Sequence, residues 1–220
     1  MTVKDLNMNS ISNAGTYTAT VHKDVTNMSS MFFNRSEIVS VDLSKLNTAK
    51  VTNMDDMFNG CVNLTSVNLS NLDTSNLTEM RTMFNYCTSL LSVDLSSFDT
   101  SKVTNMYSMF FGCYSLKKID LSSFDTSNVL YMNYMFDGCS SLTTLDLSSF
   151  DTSRVKNMSY MFWGCTNLTT IKGVIDMKSC EYCLYMFKDC HKLKGVKIKN
   201  PPADFEKRSK LHPSQYTIVS

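Results

Sequence analysis

The chain has 220 residues, with 21 Lys and Arg against 20 Asp and Glu and a formal net charge of +1. No run of 18 apolar residues is present, so no segment reads as a membrane-spanning helix, and Met1 to Asn7 lack the cationic start and apolar stretch of a secretory signal. The near-neutral total hides a basic end, but the lysines and Arg208 crowded into residues 188–210 lack interleaved aromatic stacking residues and read as a solvated cap rather than a nucleic-acid site.

In chain order, residues 1–24 stand outside any repeat. The alternation Thr16-Tyr-Thr-Ala-Thr-Val21 predicts an edge strand leading into the array, so the segment reads as an N-terminal cap. From about Val25 to Asn200 one pattern returns at a step of 26 residues, the mark of a solenoid of about seven coils. A coil of this size cannot offset its own ordering cost, so stacking must supply the missing burial and the ends must differ.

Each coil opens with Met-x-x-Met-Phe-x-Gly-Cys, as in Met106, Met109, Phe110, Gly112 and Cys113. Apolar residues at i, i+3 and i+4 predict a short helical turn, ended by Gly60, Gly112, Gly138 or Gly164. Leu-x-x-Leu-Asp-Leu follows, as in Leu142, Leu145, Asp146 and Leu147, and predicts a short strand pairing in parallel with its copies. Phe-Asp-Thr-Ser then reads as a polar corner, with Asp73, Asp99, Asp125 and Asp151 suited to side-chain turns onto the backbone. The expected class is therefore α/β, with strands on one face and helical turns on the other. Cys61, Cys87, Cys113, Cys139, Cys165 and Cys190 share one slot and read as a buried thiol ladder acting as small hydrophobes. Pro201-Pro202 closes the array, and residues 201–220 read as a C-terminal cap or an attachment tail.

The string Met-Phe-x-Gly-Cys-x-Ser-Leu-x-x-Leu-Asp-Leu-Ser-Ser-Phe-Asp-Thr-Ser-x-Val-x-Asn-Met resembles the bacterial surface protein 26-residue repeat, the BspA-like, leucine-rich-repeat-like family. The resemblance covers about four fifths of the chain. It implies a right-handed solenoid, display at a bacterial surface or outside the cell, and adhesion or host contact. The family offers no catalytic residues to carry over. Departures are Glu79 and Tyr131 in the Asn slot, and Lys172-Gly173 where Asp-Leu is expected, which predicts an irregular last coil.

Two surfaces are candidates for binding. Tyr134, Tyr160 and Tyr185, in the slot before the second Met, and Trp163, in the slot after Phe, are expected to be largely exposed and to form an aromatic contact patch, with mutual stacking of adjacent rungs for stability as the equal alternative. Asp94, Asp120 and Asp146 form an acidic stripe on the strand face, able to meet a basic partner or calcium, or to act as a solvated polar face. Cys180, Cys183, Cys190 and His191 invite a metal reading, but repeat register turns the cysteines toward the core, so no metal and no cofactor is expected. His22, His191 and His212 lie outside the regular array and no nucleophile or phosphate-loop motif appears, so the chain does not read as an enzyme. The expected function is a surface-displayed adhesion or binding solenoid with a protein or glycan partner. The alternative is a structural or decoration subunit of a larger assembly, held by its non-repeat ends.

Overall fold

A computed structural model describes the backbone of Thr16–Thr18 and residues 25–220. The cap reading of residues 1–24 therefore lies outside the described residues, apart from strand β1 (Thr16–Thr18), which pairs in parallel with β2 (Ser40–Asp42).

The alternating stretches form three-residue strands: β3 (Ser66–Asn68), β4 (Ser92–Asp94), β5 (Lys118–Asp120), β6 (Thr144–Asp146) and β7 (Thr170–Lys172). Pairing keeps the repeat register, with Val41 opposite Val67, Val93 opposite Ile119 and Leu145 opposite Ile171. The central residue of each strand faces the core and its neighbours face water. The result is a parallel β-solenoid of about six regular turns.

Behind the strands, the inward slots stack on themselves along the axis. Phe32, Phe58, Phe84, Phe110, Phe136, Phe162 and Phe187 form one column with centroids 5.2–5.9 Å apart and planes within 14° of parallel. Met54, Met80, Met106, Met132 and Met158 are fully buried beside it. All eight cysteines are free. The ladder thiols do more than fill space: each Sγ donates to the carbonyl of the Phe one coil back, as Cys113 to Phe84 O at 3.1 Å and Cys139 to Phe110 O at 3.2 Å. Burial also pushes these thiols up, Cys61 to about 11 and Cys190 to about 12.

The expected helical turns are corrected. Met106 to Cys113 is a run of consecutive β-turns, in which Ser108 (φ 52°) and Gly112 (φ 70°) lie in the left-handed region. The physical reason is where the N–H groups go. Those of Met106, Ser108, Phe110 and Gly112 donate forward to Tyr131, Asn133, Met135 and Asp137 of the next coil at 2.8–3.1 Å, while Met109, Phe111 and Cys113 close local turns onto Met106, Ser108 and Phe110. Beyond its first turn, an α-helix would spend its N–H groups inside its own segment. Here half of them bind neighbouring coils together.

Of the about seven coils expected, about six are regular, and the last turn departs from the pattern. At Gly173 the chain bends and continues into β8 (Val174–Asp176), and it is β8, not β7, that pairs with β9 (Val196–Lys199). Gly173 has φ 94°, and a Cβ there would lie 2.7 Å from Leu147 O and 2.8 Å from Leu147 C. Gly195 also has positive φ (66°) but open space around it. Gly173→Ala should therefore cost about 2–4 kcal/mol in urea melts, from the backbone conformation and the clash together. Gly195→Ala should cost about 1 kcal/mol, from conformation alone. Equal losses would show that the Leu147 contact does not constrain the bend.

Residues 201–220 pack onto the final turn. Helix α1 (Phe205–Ser209) buries Phe205, and Leu211 is buried just after it. Tyr185 N–H donates to Arg208 O at 2.6 Å and Phe187 N–H to Ser209 O at 2.8 Å, so this segment accepts the bonds that a further coil would take. Gln215 Nε2 donates to Cys190 O and Leu193 O, and β10 (Tyr216–Ile218) pairs with β9.

Candidate binding surface

The turn ladder sets the aromatic patch. Tyr134, Tyr160 and Tyr185 occupy the first left-handed position of their coils (φ 62°, 62° and 53°), the place held by Ser30 and Ser108 earlier in the array. Fixed at one step per coil, the rings meet. Tyr134 stacks on Tyr160 at 4.7 Å and 4°, and Tyr185 meets Tyr160 edge-on at 5.6 Å. Trp163 joins at 5.5 Å from Tyr160 and donates through Nε1 to Asp189 Oδ2 at 2.9 Å. All four rings are half-buried rather than largely exposed, and adjacent rungs stack on one another. Lys188 Nζ lies 5.1 Å from the Trp163 ring and 5.2 Å from Tyr185, and Lys210 Nζ lies 5.6 Å from Tyr185, giving the patch a cationic rim.

The cluster reaches further toward the N-terminus than sequence slots suggested. Tyr107 and Phe111 contact Tyr134 at 5.9 and 6.2 Å, and Tyr86 contacts Phe111 at 5.0 Å. Tyr107, Tyr114 and Tyr182 are exposed rings that the slot comparison passed over, and Tyr131 is exposed as well. Tyr131 was visible as a departure from Asn, and Tyr182 fills the same slot, bridged through Asn157.

Asp137 is the residue that sequence reasoning missed. It occupies the slot after Phe, which holds Phe111 in the coil before and Trp163 in the coil after. Its side chain is buried (7% exposed) and Oδ2 has no hydrogen-bond partner. Burial alone pushes the carboxyl up to about 7.

The carboxylate stripe sits at the ends of β4, β5 and β6, with Asp94 in register with Asp120. One oxygen of each carboxylate is already engaged, because Asp94, Asp120 and Asp146 accept the N–H of Ser96, Ser122 and Ser148 at 2.9–3.0 Å. These hydrogen bonds hold the three carboxyls below the usual range. Asp73, Asp99, Asp125 and Asp151 make the expected corner turns with Ser75, Ser101, Ser127 and Ser153. The array supplies its own counter-charge: Lys172 continues the Asp146 position in β7 and lies 3.5 Å from it. Among the described residues, no cluster of three or more His, Cys, Asp or Glu is placed to hold a metal ion, whether on the stripe or around Cys180, Cys183, Cys190 and His191.

Residues 7–94 and 90–200 match the family model described as Mycoplasma protein of unknown function, DUF285. The chain belongs to this family. The DUF285 match and the turn-by-turn geometry agree on a BspA-like, leucine-rich-repeat-like solenoid. The fold is similar to that of the T. pallidum leucine rich repeat protein (TpLRR), with a TM-score of 0.59 and 19% identity over 99% of this chain and 97% of that one. Two further structures align with lower scores. One is a leucine-rich repeat protein from Bacteroides ovatus (TM-score 0.30, 14% identity, 98% of each chain). The other is a leucine rich cell surface protein from Faecalibacterium prausnitzii (TM-score 0.31, 19% identity, 70% of this chain and 59% of that one). No curated protein matches the chain. No helix among the described residues is long and apolar enough to cross a membrane.

Proposed function

We propose that the chain is a non-enzymatic binding solenoid, displayed at a bacterial surface, that contacts a protein or glycan through Tyr134, Tyr160, Tyr185 and Trp163 with the Asp94, Asp120 and Asp146 stripe as a second contact. The observation that carries this reading is the ring ladder with its lysine rim. The rings are rigid, half-exposed and set at fixed spacing by the turns, so a partner meets a preorganised surface at low ordering cost. Surface display rests on the family resemblance of the repeat.

The test uses a triple variant, Tyr134→Ser, Tyr160→Ser and Tyr185→Ser, which installs the side chain found at Ser30 and Ser108. Binding of parent and variant to immobilised glycans and host extracellular proteins is compared after melting has shown both folded. A loss of about tenfold or more in affinity is expected, as for truncated aromatic anchors. Unchanged capture by this variant and by an Asp94→Asn, Asp120→Asn, Asp146→Asn variant would sink the proposal.

A second reading, a subunit of a larger assembly held by its ends, draws on β10. Its neighbour is β9, and Ile218 on that end is 61% exposed. Mass measurement over a concentration series on the same sample separates the two, since a monomer throughout argues against assembly through this edge.

A further inference from the structure

Two of the eight thiols stand outside the ladder, in slots the repeat elsewhere fills with inert side chains. Cys180 takes the place of Val103, Val129 and Val155, and Cys183 that of Met106, Met132 and Met158. The two slots lie three residues apart on the inward side of the coil, Cys183 within the core and Cys180 packed against its edge, where Cys180 Sγ donates to Tyr182 O at 3.3 Å. Cys183 is sealed, whereas Cys180 is partly open to solvent. Their loop is held from two sides. Glu181 N–H and Tyr182 N–H both donate to Lys156 O, and Arg208 of α1 donates through Nη2 to Glu181 O at 2.5 Å, bringing a fixed positive charge beside the pair. The ladder thiols differ on each count, being closed to solvent and committed to Phe carbonyls.

We propose that Cys180 and Cys183 form a dithiol site for thiol–disulfide exchange with low-molecular-weight disulfides, while the six ladder thiols stay unreactive. Cys180 first and then Arg208 draw Cys183 below the usual thiol value, while Cys183 and burial push Cys180 up, so the charge of the deprotonated pair rests first on Cys183. The Cys183 thiolate takes the proton of Cys180, the sulfur that solvent reaches, and leaves the thiolate there for attack. That thiolate attacks one sulfur of R–S–S–R, the S–S bond breaks, and RS⁻ leaves and takes up the proton released by the pair. Cys183, losing its proton to solvent, then attacks Cys180 Sγ and expels the second RS⁻, which is protonated in turn. The pair is oxidised by two electrons to a Cys180–Cys183 disulfide, and the oxidant is reduced to two R–SH.

The full chain is incubated with oxidised glutathione, quenched by alkylation, and followed by intact mass and peptide mapping. The parent should lose two hydrogens, with the new bond confined to Cys180 and Cys183 and reversed by dithiothreitol. Cys183→Met, which restores the residue of the other coils, should stop at a glutathione adduct on Cys180, with at least about tenfold more adduct than the parent. Cys180→Val should leave Cys183 unreacted. Melting curves establish that both variants are folded, and either one alone decides the role of its partner sulfur. A ladder cysteine reacting as fast as Cys180, a parent that keeps the adduct as long as Cys183→Met does, or no reaction of the parent at all would overturn the proposal.

Discussion

Asp137→Asn is expected to stabilise the protein by about 3–4 kcal/mol above pH 7, and to remove a fall in stability that the parent shows between about pH 4 and pH 7. The carboxyl is buried, Oδ2 is unpartnered, and burial is the one cause that raises it from 3.8 to about 7. Its titratable neighbours are Tyr114, Tyr134, Cys139, Cys165 and Cys190, all neutral near pH 7, so none offers a positive charge. In the unfolded chain the group ionises near 3.8, whereas in the fold it keeps its proton to about 7. Through that window the unfolded state binds fewer protons, and rising pH therefore favours unfolding. Below the window both states are protonated and there is no penalty; above it both are ionised and the penalty is complete. Asp94, Asp120 and Asp146, held low by their serines, act in the opposite sense: their contribution is present above 3.8 and fades as pH falls below it, so the two windows do not overlap. The slot tolerates the amide, since Asn59 and Asn85 occupy it in earlier coils, Asn85 Nδ2 donating to Asn59 Oδ1 at 3.0 Å. Urea melts of parent and variant across the pH range give the answer in their difference. A difference that stays constant with pH would show that Asp137 does not titrate in the fold as its burial requires.

Phe110→Ala should cost about 3–5 kcal/mol, the range for removing a buried aromatic ring. Phe110 is fully buried at the middle of the column, 5.5 Å from Phe84 and 5.7 Å from Phe136, so its loss opens a cavity between two rings at once. The backbone can hardly collapse into that space, because Phe110 N–H and its flanking turns are tied to the next coil. In a stacked array the coupling between coils is as important as the coil itself, so the urea transition of this variant should also broaden or split as the halves uncouple. Phe33→Ala, at a ring 45% exposed in the first coil, serves as the control, with an expected change within about 0.5 kcal/mol. Similar losses at Phe110 and Phe33 would mean that the ring column is not the principal support of the array.

Much of this protein is written in one coil. The 26-residue step, the inward Phe, Met, Cys and Leu slots, the strand alternation around Val93 or Leu145, and the Asp-to-Ser turns at the corners are all set by side chains close together in sequence. Local patterning was enough to place them. The aromatic slots of Tyr134, Tyr160, Tyr185 and Trp163 were legible for the same reason. What the pattern left open depends on pairs of coils. Met106, Met109 and Phe110 face inward in a helix and in a run of turns alike. The choice fell to turns because carbonyls of the following coil, such as Tyr131 O and Asp137 O, stand ready to accept the N–H groups of Met106 and Gly112. Asp137 sits in a slot of mixed polarity, and only the stacking of neighbouring coils buries its carboxyl and lifts it to about 7. The cysteine ladder read as hydrocarbon until the Phe carbonyl one coil back became its acceptor. At Gly173, the departure from the repeat was visible, but the requirement for glycine came from Leu147 O in the preceding turn. The sequence determined which side chains face the core, because that is a property of each coil. Stacking decided the hydrogen-bond partners, the burial of variable slots and the spacing of the rings, because each of these depends on residues about one repeat apart.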